Sequence, residues 1–235
     1  MELLDALYEI HRDWLAGYTF ACGRGCSACC TQSVNVTALE GRLVSDYLLA
    51  NGWGRAGLEQ RLGKFPGRRR ALLTTNDFAR LCFDGVEAPE EEGTPWDFTP
   101  CLFLKNNCCT IYPVRPFMCR AFVSTGNCAE QGVAEVAPFM LMANTVFMQL
   151  IEHLDQGRPW GNLLDVLALQ LAGSTDQSHE QNRLAMSRPL PGFLIPPEEE
   201  EDLQPIFKAL ENRLVQGKSI VAWIEAAHKK IIEKP

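Results

Sequence analysis

Two short stretches of this 235-residue chain carry nine of its ten cysteines. In the first, CGRGCSACC, Cys22, Cys26, Cys29 and Cys30 are separated only by small or polar residues, and Gly23 and Gly25 permit tight backbone curvature. The second runs from Cys101 through Cys109 and Cys119 to Cys128, and Asn106, Asn107, Pro113, Pro116 and Gly126 forbid long regular elements within it. Short spacings let thiolates of one segment approach a common metal to about 2.3 Å, and a distant segment then completes a closed four-coordinate shell. Zinc and an iron–sulfur cluster both accept four thiolates, and spacing alone does not separate them. The adjacent Cys29 and Cys30 cannot point at one ion with equal ease, which leaves either two metals or one ligand with a neighbour.

The surroundings of these thiols argue for ligation. A structural thiol sits among apolar side chains and is inert, whereas Arg24, Arg115 and Arg120 lie among these. Four thiolates around Zn²⁺ or an oxidised 4Fe–4S core leave a formal charge of roughly −2 that neighbouring donors must offset. Arginine suits that role, so Arg115 and Arg120 are the candidate cofactor-supporting residues. Arg120, beside Cys119, is expected to donate to the thiolates. Disulfides are the competing use, but the cysteine density is well below that of a stapled secreted scaffold, and a reducing, cytoplasmic compartment is expected.

The full pattern, C-x3-C-x2-C-C followed by C-x7-C-T-I-Y-x2-R-P-x2-C-R-x7-C, resembles the YkgJ-type cysteine-cluster proteins, a family with a CxxCxxCC zinc- or iron-chelating domain, over about residues 18 to 130. The resemblance marks Cys22, Cys26, Cys29, Cys30, Cys101, Cys109, Cys119 and Cys128 as cluster residues and Tyr112, Arg115, Pro116 and Arg120 as its other signature positions. Cys82 and Cys108 fall outside it and read as ordinary thiols. Flagellin lysine N-methylases are distant relatives of that family, so the resemblance implies metal binding with a redox or methyl-transfer use as an extension. The subset Cys22-x3-Cys26-x2-Cys29 also has the spacing of radical S-adenosylmethionine enzymes, which favours iron–sulfur and implies that cosubstrate. The alternating strands and helices of the partial barrel such enzymes need are not legible here.

The elements that must position these loops are helical. Leu3, Leu4, Leu7, Tyr8, Ile10, Trp14 and Leu15 recur at three-and-four spacing and predict an amphipathic helix over 2–17 that delivers the chain into the first cluster. Thr37 can cap a second helix that runs until Gly52, and two more helical stretches end near Phe83. Residues 84–100 read as a loop. Helices are expected over 134–156, with Met140, Met142 and Met148 filling core, and over 162–172. A proline-rich connector and two short helices separated near Gly217 close the chain. The expected fold is mainly α with little or no sheet, in which two irregular cysteine-rich loops converge on a metal site. The expected organisation is a metal-binding domain over 1–186, a connector over 187–201 and a C-terminal helical segment over 202–235.

Bulk properties exclude several functions. A net charge of −7 provides no basic footprint for a phosphate backbone, and Arg68, Arg69 and Arg70 read as a solvated turn. Acidic residues break the N-terminus as a secretory signal, and Glu135, Pro138, Asn144, Gln149 and Glu152 make the most apolar segment too polar to span a membrane. His11, His153, His179 and His228 stand apart from the cysteines, and no phosphate loop, serine elbow or zinc-protease helix is present. The expected partner is thus a metal ion or cluster, held by a metal-binding protein with or without redox or methyl-transfer chemistry. The alternative is a module whose zinc only organises loops that dock a protein partner.

Overall fold

The computed structural model describes residues 1–64, 72–89, 98–171 and 183–232, with side chains through residue 227. The Arg68–Arg70 run and His179 lie outside the described residues, as does the side chain of His228. The fold is mainly α. Helix α1 (Glu2–Leu15) buries Leu4, Leu7, Tyr8, Ile10 and His11 along one stripe. Strand β1 (Asn35–Thr37) leads into α2 (Ala38–Ala50), whose start is set by a capping box: Glu40 N–H donates to Thr37 Oγ1 and Thr37 N–H donates to Glu40 Oε2. Helices α3 (Arg55–Leu62) and α4 (Thr75–Asp84) follow, the latter ended by left-handed Gly85.

After the cysteine-bearing stretch comes α7 (Pro138–Leu154), the central helix. It is shorter than the expected 134–156 because Pro138 occupies its first turn and disfavours helical backbone before it. Strand β4 (Pro159–Asn162) then pairs antiparallel with β1, Val36 opposite Gly161, and with β5 (Ala185–Met186) on its other side. Helix α8 (Leu163–Leu171) leaves this strand directly, with Asn162 Oδ1 accepting from Leu164 N–H. A 3₁₀ turn (Pro197–Glu199) opens α9 (Glu200–Asn212), and a two-residue hairpin, β6 (Leu214–Val215) with β7 (Lys218–Ser219), turns through Gln216 and Gly217 at positive φ into α10 (Ile220–Ile232).

Two apolar clusters hold these elements. The first unites α1, α7, α9 and α10 through residues such as Leu7, Phe147, Leu150, Leu203, Ile206 and Ile220. The second joins α2, α3 and α8 through Val44, Leu48, Leu58, Val166 and Leu167, together with Val36 of β1. Helices α2 and α8 approach so closely at Gly41 that a Cβ there would stand 2.4 Å from Val166 Cγ1. Among the described residues no helix is long and apolar enough to cross a membrane.

Candidate metal centre

The first cysteine loop has no core of its own: no residue from Arg12 to Thr31 is buried. Trp14 and Phe139 flank Tyr18 with ring centroids 5.2 and 5.5 Å away and steer the chain out of α1. Gly25, at φ +90°, allows the tight turn in which Cys26 N–H donates to Gly23 carbonyl (3.0 Å). The loop is held by the second cysteine segment. Cys101 N–H donates to the Cys30 carbonyl (2.9 Å), Ala21 N–H to the Ser124 carbonyl (2.9 Å), and Ser27 Oγ to Asn107 Oδ1 (3.3 Å).

The second segment, by contrast, is anchored. Phe103 and Ile111 are almost wholly buried in the cluster of α2, α3 and α8, with Cys101 and Cys109 packed against it. Between them, β2 (Leu104–Lys105) and β3 (Cys108–Cys109) form a hairpin whose turn residues Asn106 and Asn107 sit at φ 51° and 57°. Asparagine tolerates that left-handed conformation, which a two-residue turn of this type requires at both positions. Because strand side chains alternate, Cys109 turns inward while Cys108 is exposed. A 3₁₀ turn (Tyr112–Val114) leads to α5 (Phe117–Ala121), which carries Cys119, and Cys128 opens α6 (Cys128–Gln131), where Asn127 Oδ1 caps Ala129 N–H.

The start of α5 rests on a residue the sequence reading passed over. Glu40, 4% exposed, accepts from Tyr8 OH (2.8 Å) and Phe117 N–H (2.7 Å) through Oε1, and from Thr37 N–H (3.0 Å) and Thr37 Oγ1 (3.2 Å) through Oε2. This carboxylate ties α1 and α2 to the segment bearing Cys119. Beside it, buried His11 meets Asn144 Oδ1 at 2.9 Å, and Asn144 Nδ2 donates to the Ala121 carbonyl (3.1 Å), bracing the other end of α5.

Burial and neighbouring thiols shift these side chains. The Cys22 thiol is pushed up by burial and then by the like charges of Cys26, Cys29 and Cys128. Cys119 is raised, first by burial and then by Cys101 and Cys109; burial also raises Cys101 and Cys109. Cys30 is lowered because the Cys29 thiol donates to it, which correspondingly raises Cys29, and Cys30 also feels Cys101, Cys119 and Cys109. The geometry separates an outer from an inner group: Cys22 and Cys128 contact the Ser124 and Gly126 carbonyls (3.9 Å each) and Cys26 and Cys29 lie on the exposed loop of Cys22, whereas the Cys30 carbonyl accepts from Cys101 N–H, Cys101 and Cys109 pack on the apolar cluster, and Cys119 lies on α5. The two touch through the adjacent pair Cys29 and Cys30.

Each group offers four soft thiol donors, the set that suits zinc or an iron–sulfur cluster. In chemistry and in neighbourhood the residues fit such a centre. Their thiol positions do not yet close a shell: among the described residues no three Cys, His, Asp or Glu side chains are arranged to hold one ion.

The two arginines are held differently. Arg120 Nε donates to the Arg115 carbonyl (2.8 Å), Nη2 donates to the Pro113 carbonyl (3.1 Å), and the guanidinium stacks 4.3 Å over the Tyr8 ring. Its hydrogen bonds hold the backbone between Cys109 and Cys119 rather than a thiol. Arg115 stacks 4.0 Å over Tyr112, its positive charge offsets part of the rise that burial and neighbouring thiols impose on Cys29, Cys109 and Cys119, and its buried Nε has no hydrogen-bond partner among the described residues. A buried donor left unpaired beside thiols is a donor for a thiolate or a sulfide. Cys82 is an exposed thiol of α4, and His153 accepts from Leu190 N–H through Nδ1 (3.0 Å) within the core.

A family model described as CxxCxxCC, a putative zinc- or iron-chelating domain, matches residues 21–144, which include all eight cysteines of the two groups. No curated protein and no solved structure matches the chain.

Proposed function

Because the chain belongs to the CxxCxxCC family of zinc- or iron-chelating domains, we propose that it binds metal through two adjacent four-thiolate centres, Cys22/Cys26/Cys29/Cys128 and Cys30/Cys101/Cys109/Cys119. The observation that carries this reading is where the eight cysteines sit: Cys22 and Cys128 both contact the 124–126 turn and Cys26 and Cys29 share the exposed loop of Cys22, whereas Cys30 is hydrogen-bonded to Cys101, which packs with Cys109 on the apolar cluster next to the α5 residue Cys119. It favours the two-metal solution over one ion with a spare neighbour. Arg115 supports both centres electrostatically, since its charge acts on a thiol of one group and two of the other, while Arg120 fixes the backbone that presents Cys119.

When bound, zinc would organise the loops and an iron–sulfur cluster would add one-electron chemistry. The chain's own part is the same for both: thiolates are gathered, their mutual repulsion is offset by Arg115, and one face of the first group stays open to solvent. A redox or methyl-transfer role, with S-adenosylmethionine as cosubstrate, draws on that open face and on the Cys22-x3-Cys26-x2-Cys29 spacing. Metal analysis and an absorption spectrum of protein prepared without oxygen test the reading. Two equivalents of colourless zinc, or iron with sulfide and visible absorption, fit it; a chain purified with neither metal nor affinity for either refutes it.

A further inference from the structure

The two groups of thiols differ in what holds them. Cys101 and Cys109 pack on the apolar cluster of α2, α3 and α8; Phe103 and Ile111 flank them in the core; and Cys119 follows the buried Phe117, whose N–H is fixed by Glu40. Cys22, Cys26 and Cys29 are exposed and lie in a run, 12–29, with no buried member, whereas half-buried Cys30 accepts from Cys101 N–H through its carbonyl (2.9 Å). Their loop is tied down by a few hydrogen bonds: Ala21 to Ser124, Ser27 to Asn107, and the weak contact of Cys22 Sγ with the Ser124 carbonyl at 3.9 Å. Opening such a segment requires only local unfolding, whereas freeing Cys101, Cys109 and Cys119 requires breaking core packing.

Resting on the two-centre reading, we propose that the inner group, Cys30/Cys101/Cys109/Cys119, retains its metal as part of the fold, while the outer group, Cys22/Cys26/Cys29/Cys128, exchanges its metal with thiol-bearing acceptors. The metal at the outer group is then cargo. The exchange is a ligand substitution without change of oxidation state. An incoming thiolate forms a metal–sulfur bond, one of Cys22, Cys26 or Cys29 gives up its own and takes a proton from solvent, and the remaining outer cysteines follow. The exposed side of the loop is where the acceptor enters, and the half-buried Cys128, set by Asn127 and the 124–126 turn, is the last to let go.

The test loads the full-length protein with zinc, challenges it with a coloured zinc chelator, and maps cysteine alkylation by peptide mass spectrometry at each time. Two release phases of equal amplitude are expected, their rates about tenfold or more apart as local and core-coupled openings differ. The fast phase should unmask Cys22, Cys26, Cys29 and Cys128, and the slow phase Cys30, Cys101, Cys109 and Cys119. Cys26→Ser should bind one zinc and show only the slow phase; it sits in the loop that lacks buried residues, so its folding is not at stake. A single phase, or alkylation of the inner four first, overturns the assignment while leaving the two-centre reading standing. A protein that binds no zinc, with all its cysteines alkylated at similar rates, overturns both.

Discussion

Replacing Glu40 by glutamine tests the link between the helical core and the cysteine segments. The carboxylate accepts four hydrogen bonds, two at each oxygen, and in each pair one donor is a backbone N–H: Phe117 at Oε1 and Thr37 at Oε2. A carboxamide must place its NH₂ at one of these positions, so in either orientation one buried N–H loses its acceptor, at a cost of about 1–3 kcal/mol. Tyr8 OH and Thr37 OH can rotate to accept from the NH₂, but the remaining bonds lose their charged partner and weaken, adding about 1 kcal/mol. The expected destabilisation is about 2–4 kcal/mol, which at a urea dependence near 3 kcal/mol per molar lowers the midpoint by about 1 M. Tyr8→Phe removes one donor and leaves the carboxylate with three, so it should cost only about 0.5–1.5 kcal/mol. The assay is urea unfolding of the metal-free proteins, followed by zinc titration. Glu40→Gln should also weaken zinc binding, because Phe117 lies two residues before Cys119. Stability within 0.5 kcal/mol of wild type, or a loss no larger than that of Tyr8→Phe, would refute the reasoning.

Burial lowers the His11 pKa to about 4 in the folded chain, against about 6.5 in the unfolded one; stability that is complete above pH 6.5 should therefore be lost as pH falls through 4, by up to about 3 kcal/mol. His11→Gln should flatten that part of the curve in urea unfolding measured from pH 4 to 7. Gly41→Ala should cost about 1–3 kcal/mol by forcing Val166 aside, and Val166→Ala in the same chain should recover part of it, both read as melting temperatures. Metal uptake should release protons and weaken as pH falls, since burial raises the thiols of Cys22, Cys101, Cys109 and Cys119; calorimetry in buffers of different ionisation enthalpy counts those protons, and a pH-independent affinity would contradict it.

The long elements were legible because their signals are local. The stripe Leu4, Leu7, Tyr8, Ile10 defines α1, and Thr37 starts α2. The strands were not, since Asn35–Thr37 and Pro159–Asn162 are too short to show alternation and are strands only because they pair across more than a hundred residues. In the site, residue types were readable and directions were not. Cys119 and Arg120 are neighbours in the chain, but successive helical residues point about 100° apart, so the hydrogen bonds of Arg120 go to the Arg115 and Pro113 carbonyls and its plane to Tyr8, while its charge stays near Cys119. Cys108 and Cys109, adjacent on β3, likewise face apart. Residues 18–31 bury no side chain, whereas the second segment rests on Phe103, Ile111 and Phe117, whose burial is decided by distant helices and could not be read from the broken local pattern.

X-ray absorption at the metal edge of the loaded protein tests the central claim most directly. Two four-thiolate centres predict a first shell of four sulfurs at about 2.3 Å for zinc, with an added iron–iron distance if the metal is a cluster, and two centres per chain. A shell containing nitrogen or oxygen ligands, or a single metal per chain, would contradict the account.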